Sequence, residues 1–343
     1  MAANLDQILN ETQRFVKDNP KVLNAAIMSK EIELNKHAKL ITKVRGQYPS
    51  VNGVLGHVVQ GFQPKWTEMA TVQFRGKVSR DYHQKVNFGF TPAEILGSWI
   101  EQKYDEGKEL KDKSISQHVL KTMLPEKIVA DVDFLSMNGV FNPAKAYGDN
   151  PEFGYSMDGL NTTILKNITN TDNPYFKIPI DAFTDENAID VLEEYESAIP
   201  IDYIKLVDKI HVSHKTYLKI KKSYRVKYGK DQDFTKTGYM MSPLLEKKLV
   251  KLTGLDDNII VTTLKSNLCR FVDLIQNPAT ISDIQKQDYK IKVFGEFTLG
   301  YDYGVNELVI VGTSNGAVTE RGLGNSELNE LYYPREYTKV SIG

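Results

Sequence analysis

A single cysteine, Cys269, stands among 343 residues. It excludes an intramolecular disulfide and any multi-cysteine zinc site, and it fits a chain made in a reducing cytoplasm. No run of about 18 apolar residues occurs, so no transmembrane helix is expected. The opening residues, MAANLDQILNETQRF, lack the basic start and apolar core of a secretory signal. The three N-x-[ST] sequons, at Asn10, Asn161 and Asn167, therefore read as chance matches. Charge of one sign is lacking too: the net charge is −1, which argues against a chain-wide nucleic-acid binder.

Catalytic motifs are equally scarce. There is no G-x-x-x-x-G-K-[ST], no G-x-G-x-x-G after a strand, no H-E-x-x-H and no G-x-S-x-G. His211 and His214 form an H-x-x-H without a carboxylate nearby in sequence, which suits a structural or surface role better than a metal site. Asp131 and Asp133 form a D-x-D, but positions i and i+2 point to different sides of a helix and suit ion pairs or solvent. Cys269 lies in an apolar strand context, where a buried inert thiol is expected. Nothing assembles a nucleophile, a base and an oxyanion donor. The expectation is a protein that is not an enzyme, with no cofactor and no metal.

What is present begins with one long apolar stripe. Between Ser114 and Gly139, Leu120, Leu124, Ile128, Val132 and Leu135 recur at helical steps, broadened by Ile115, Val119 and Met123. Asp112 or Ser114 can cap the start, and Gly139 can end it in a left-handed conformation. Such a helix would run roughly 36 Å. Pro125 predicts a kink or a break within it.

Residues 1–45 predict two short polar helices, an arm that docks on something else. Gly46–Gly56 reads as a loop. Residues 57–91 are rich in β-branched and aromatic side chains broken by Gly61, Pro64, Gly76 and Gly89, and predict a two- or three-stranded flap. In it Gln73, Arg75 and Lys77 alternate with Val72, Phe74 and Val78. So long a hairpin is marginal alone and needs a partner surface, with Trp66, Phe74, Tyr82, Phe88 and Phe90 as its contacts. Thr91-Pro92 predicts a helix start running to about Glu106, and residues 107–113 a charged connector. Beyond Gly139 a loop leads into a mixed α/β region. Its expected elements are a short segment at 159–168, a strand YFKIPI and a helix Asp185–Ser197 capped by Thr184. A strand Ile204–Val212, a basic helix ending at Gly229 and a helix Leu244–Thr253 follow. The last elements are strands at Asn258–Thr263, Asn267–Leu274, Tyr289–Leu299 and Leu308–Val311.

Charge is unevenly spread along this region. Asp181–Asp202 holds eight acidic residues and no Lys or Arg, while Lys205–Lys251 holds thirteen Lys and Arg against four acids. Such blocks can pair within the fold or across copies of the subunit.

The order of helical arm, flap, long helix, loop and compact α/β domain resembles the major capsid proteins of tailed bacteriophages, with the Hong Kong 97-type fold. The residues that carry the likeness run from about 57 to 312. DVDFLSMNG (131–139) is similar to the end of that family's spine helix. YSMDGLNTTI (155–164) is similar to the entry into its axial domain. DENAIDVLEEYESAIP followed by DKIHVSHKTYLKIKK resembles the family's acidic helix, strand and second helix, and LTGLDDNIIVTT the buried strand after them. DYKIKVFGEFTLGYDYGVNELVIVGT resembles its closing strands.

The resemblance implies an α+β fold with an N-terminal arm at 1–54 and an extended β-hairpin E-loop at 55–91. It implies a peripheral domain with the spine helix at 92–150 and 285–325, an axial domain at 151–284 and a tail at 326–343. It further implies self-assembly into hexamers and pentamers of an icosahedral shell around double-stranded DNA, within a virion made in a bacterial cytoplasm. Portal, scaffold and decoration proteins would be partners, packaged DNA would be touched without base readout, and no membrane would be involved. Arg14, Lys17 and Lys21 are candidates for the DNA contact. The assembly interface would use Trp66, Phe74, Arg75, Tyr82 and Phe88 of the flap. Glu193 and Glu194 would pair with Lys221, Lys222 and Arg225 between neighbouring subunits. Pro125 is unusual for a spine helix, and the family's Lys–Asn cross-link matches no residue here. Two alternatives stay open: an encapsulin-type nanocompartment shell, and an α+β enzyme without a familiar motif.

Overall fold

The computed structural model describes residues 5–56, 58–69, 72–92, 118–170, 172–229, 240–275 and 279–314. The helix expected at 92–106, its connector, the first residues of the long stripe and the tail lie outside the described residues.

The chain opens with helices α1 (Leu5–Asp18) and α2 (Val22–Ile27), a 3-10 turn at Glu33–Lys36 and a short strand β1 (Lys39–Ile41). This arm docks on its own chain, which corrects the expectation that it docks elsewhere. Ile8, Leu23, Ile27, Ile32 and Leu34 are buried in the main core, and Gln13 Nε2 donates to the carbonyl of Ile284 at 3.4 Å. Two helices this short gain their stability from such packing rather than from propensity.

Strands β2 (Gln47–Leu55) and β3 (Val72–Arg80) pair antiparallel over their whole length as a two-stranded ribbon. Gln47–Leu55, within the stretch expected to be a loop, is therefore a strand. Pro49, Asn52 and Gly53 disfavour a strand locally, and pairing with β3 overrides them. Strand β4 (Tyr82–Phe90) leaves the ribbon and joins the body.

The long stripe forms as expected. A π turn at His118–Met123 leads into α3 (Leu124–Asn138), with Pro125 in its first turn. Proline lacks the N–H that a continuous helix would bond to the preceding turn, and the break falls there. Leu120, Leu124, Ile128, Val132 and Leu135 all face the core, whereas Met123 is exposed. Gly139 ends α3 at φ −61°, ψ 146°, extended rather than left-handed. Glycine is needed for another reason: a Cβ there would strike the carbonyl oxygens of Met157 and Leu135.

Beyond it come α4 (Pro143–Ala146), α5 (Leu160–Ile168), β5 (Phe176–Pro179), α6 (Ala188–Ser197), α7 (Ile201–Ile204), β6 (Val207–Ser213) and α8 (His214–Tyr228). The remaining strands are β7 (Lys248–Leu252), β8 (Ile259–Leu264), β9 (Leu268–Phe271), β10 (Thr280–Gln287), β11 (Lys290–Tyr303) and β12 (Val309–Thr313). The helix expected at Leu244–Thr253 is β7 instead. A short apolar run such as KLVKL fits either period, and parallel pairing with β6 decides it.

Two sheets organise these elements. In the first, β11 pairs along its first part with β10 and β4 and along its end with β9, which also holds β1. The arm and α3 share one core with this sheet. The second sheet runs β5-β12-β8-β6-β7, and α6 and α8 pack with it around a second core. β12, expected beside β11 among the closing strands, belongs to this second sheet.

Candidate assembly surfaces

Directly opposed residues of an antiparallel pair lie on one face. One face of the ribbon therefore carries Leu55 with Val72, Gly53 with Phe74, Val51 with Gly76 and Pro49 with Val78. The other carries Asn52 with Arg75, Ser50 with Lys77 and Tyr48 with Ser79. In an ordinary half-buried ribbon the first face would meet the core. Here the order is reversed. Val51, Leu55, Val72, Phe74 and Val78 are exposed, Phe74 to 71%, and the polar face meets the body.

The loop at the ribbon's end continues the apolar surface. Phe62 is 97% exposed and Trp66 81%, with Val58, Val59 and Met69 beside them in sequence. Gln60 and Thr67 cross the loop through two hydrogen bonds, Gln60 Nε2 to the Thr67 carbonyl at 2.7 Å and Thr67 Oγ1 to Gln60 Oε1 at 2.8 Å. The nine-residue strands extend about 30 Å. A surface this apolar and contiguous marks an interaction site.

The inner face is held at its root by buried polar chemistry. Lys77 Nζ donates to Asp302 Oδ1 and to the Tyr303 carbonyl, each at 2.6 Å. Ser79 Oγ donates to Asp302 Oδ2 at 2.8 Å, and Ser50 Oγ to the Gly304 carbonyl at 2.7 Å. Arg75 donates to the Asp172 carbonyl. Burial pulls the Lys77 pKa down, and Asp302 opposes that pull. Glu307 is buried nearby with no hydrogen bond of good geometry at either carboxylate oxygen. Burial pushes its pKa up, and Asn173, Arg75 and Asn52 offset this in part.

The acidic and basic blocks meet within the chain. Lys222 pairs with Asp185 at 2.8 Å, and Lys227 with both Asp190 and Glu193. Tyr228 donates to Glu193 Oε1 at 3.0 Å. These contacts lie on the solvent side of α6 and α8, while Ser223 Oγ, between them, donates to the Glu186 carbonyl at 2.6 Å. Ser213 caps α8 by accepting from the Thr216 amide.

The structure thus divides the residues singled out in the sequence. Trp66 and Phe74 are exposed on the ribbon, and Arg75 lies on its inner face. Tyr82 and Phe88 stand on β4 in the body. The Tyr82 hydroxyl donates to Asp158 Oδ2 at 2.8 Å, and its ring packs on Phe141 at 4.9 Å. Phe88 packs against the main core and stacks on Phe90. Both are therefore anchored in their own chain rather than free for a neighbour, because β4 pairs with β11. Glu193 and Lys222 are likewise engaged within the chain, whereas Glu194 and Arg225 are exposed. Arg14, Lys17 and Lys21 lie on the exposed side of the arm, Arg14 beside Asp18 at 3.8 Å. Sequence reasoning missed Lys77, Ser79, Asp302 and Glu307. The alternation in β3 pointed to Lys77, but its partner lies 225 residues away. Among the described residues no group of three or more His, Cys, Asp or Glu side chains could hold a metal ion.

No protein-family model matches the sequence, and no curated protein matches it. Solved structures do. A chain of the satellite phage P4 procapsid matches with a TM-score of 0.55 at 10% identity, over 86% of this chain and 90% of that one. A chain of Mycobacterium phage Ogopogo matches at 0.51 and 15% identity, over 82% and 91%. A virus-like particle from Pyrococcus furiosus is also matched, at 0.45 and 10% identity, over 87% and 98%. The α+β fold is that of the Hong Kong 97-type capsid proteins, over most of this chain's length.

Proposed function

We propose that this chain is a structural shell protein: the major capsid protein of a tailed bacteriophage, assembling into hexamers and pentamers around double-stranded DNA. The observation that carries the reading is the inverted ribbon. A two-stranded element that turns Val51, Leu55, Val72, Phe74 and Val78 to solvent is not stable by its own packing. A neighbouring copy covering it would bury each such side chain for about 1.5–3 kcal/mol. One chain that offers a ribbon and receives another's ribbon elsewhere on its surface makes a head-to-tail contact, which closes into rings when the rotation allows. Many weak contacts then hold a shell together.

In this reading residues 47–80 with their loop are the E-loop and the helices before β1 the N-terminal arm. The π turn with α3 is the spine helix. The sheet around β11 is the peripheral domain, and the sheet around β8 with α6 and α8 is the axial domain. Glu194, Lys221 and Arg225 remain the candidates for pairing between subunits. The exposed Arg14, Lys17 and Lys21 would meet DNA phosphates on the inner face. The protein would reside in a shell particle, with portal, scaffold and decoration proteins as partners and no catalytic role. A nanocompartment shell of the same fold is the second reading, because an exposed apolar ribbon would serve a shell around a protein cargo equally well.

The test is electron microscopy of the purified full chain beside Phe74→Asp/Val78→Asp. Closed shells, tubes or capsomer rings are expected from the parent chain, and none from a variant that keeps its circular dichroism. Normal particles from the variant would overturn the role given to the ribbon. Nuclease-protected DNA in particles from the host separates the phage capsid from a protein-filled compartment.

A further inference from the structure

We propose that His37 and His211 form a proton-operated joint, which holds residues 33–41 against strand β6 when both rings are neutral and frees that segment when they take up protons in mild acid. The joint lies where the arm meets the second sheet. His37 ends the 3-10 turn that follows α2, and His211 sits inside β6, buried, opposite Val261 of β8. Their rings meet edge to face with centroids 5.6 Å apart. Neither ring nitrogen of His211 makes a hydrogen bond of good geometry, the Val261 backbone offering only a weak contact that opposes the effect of burial, and His37 Nδ1 is also buried without one. A buried imidazole so poorly paired is held neutral by its surroundings.

The charges that act on the two rings are all positive. Lys36 comes from the turn itself, Lys209 from β6 and Lys248 from β7. The acids that touch this part of the arm are committed elsewhere. Asp133 Oδ1 of α3 accepts from the Glu33 amide at 2.7 Å, and Glu33 Oε2 accepts from the Thr253 amide at 2.6 Å. Protonation would therefore set two imidazolium rings against each other among lysines, with no carboxylate in ion-pair reach of either ring among the described residues; Asp208, the acid next to Lys209, lies 3.6 Å from that lysine. Burial lowers the pKa of both rings, that of His211 to about 3. Both folded values lie below the ordinary one, so the closed segment keeps its full stability above about pH 6.5 and loses it as the pH falls below that. The segment is also held by Leu34 in the core, by the Glu33 hydrogen bonds, by the hydrogen bond from the Tyr301 hydroxyl to Asn35 at 2.7 Å and by the three-residue pairing of β1 with β9, so the joint tips an opening that these contacts resist.

The experiment is amide hydrogen exchange, read by mass spectrometry on the purified full chain. After correction for intrinsic rates, the opening constant of residues 33–41 is expected to rise by up to roughly 25-fold from about pH 7 to about pH 5 through His211 alone if its ring opens to an ordinary imidazole, and further through His37. His211→Phe should flatten the rise, and His37→Phe should reduce it. An unchanged opening constant in the parent chain, or the same rise in His211→Phe, would overturn the proposal. Should His211→Phe not fold, nitrogen NMR of the imidazoles decides: neutral rings at about pH 6 support the joint, and charged rings with the segment still protected rule it out.

Discussion

Lys77 Nζ and Asp302 Oδ1 stand 2.6 Å apart across 225 residues of sequence, both nearly sealed from solvent, and they tie the root of the ribbon to the end of β11. Around them Ser79 and the Tyr303 carbonyl complete the hydrogen bonding. A buried pair of this kind costs much when one partner is lost, because the other remains charged and alone. Lys77→Met should therefore lower stability by about 3–5 kcal/mol, measured by urea unfolding. The double variant Lys77→Met/Asp302→Leu should recover most of that loss. A double variant as unstable as the single one would show that packing, not charge, holds the root.

Glu307 lies close to that pair and is expected to behave in the opposite way. Its carboxyl has a folded pKa raised by burial, so its contribution to stability is full in acid and falls as the pH rises through the folded value. Glu307→Gln removes the charge and keeps the shape. It should be more stable than the parent at neutral pH, with the difference shrinking toward pH ~4. Melting curves across that range check it.

The break in the long helix makes Pro125 tolerable where it stands. The preceding residues already form a π turn, so Pro125→Ala regains little and should shift stability by less than about 1 kcal/mol. Ile128→Ala, one turn on and buried in the main core, should cost about 2–5 kcal/mol. Gly139→Ala should cost about 1–3 kcal/mol, because its methyl group has no room beside two carbonyl oxygens. Thermal and urea unfolding of the three variants would show the order.

On α6 and α8, charge reversal should discriminate by position. Glu193→Gln touches a pair made within the chain and should leave particle yield unchanged. Glu194→Lys and Arg225→Glu change exposed charges and should lower yield, more so at low salt than at high salt. Sedimentation of the assembled fraction is the readout. Equal yields from all three would leave no role for these helices between subunits.

Much of the fold was legible because it is local. The stripe from Leu120 to Leu135 has one period and one face, and all five of its side chains are buried as that period requires. α8 starts at a serine cap and stops at Gly229, and both signals lie in its own residues. Gly46–Gly56 and Leu244–Thr253 were misread because a short segment with mixed propensity takes its form from the strand it pairs with, β3 for the one and β6 for the other. Tyr82 and Phe88 looked like flap residues for the same reason: nothing in 57–91 says that β4 will pair with β11, two hundred residues on.

The sequence by itself determined that the chain is an α+β protein with a long buried helix, opposed charge blocks and a hairpin rich in exposed-type aromatics. Alternation in the hairpin established two faces, one apolar and one polar. It could not say which face would turn inward, since the pattern reads the same either way. That was decided only in three dimensions, when Asp302 and the carbonyls around it met the lysine and serines of the polar face and left the apolar face to solvent. The charge blocks show the same division. Their existence is a matter of composition, but whether they pair at home or abroad depends on α6 and α8 lying side by side, which no local signal encodes.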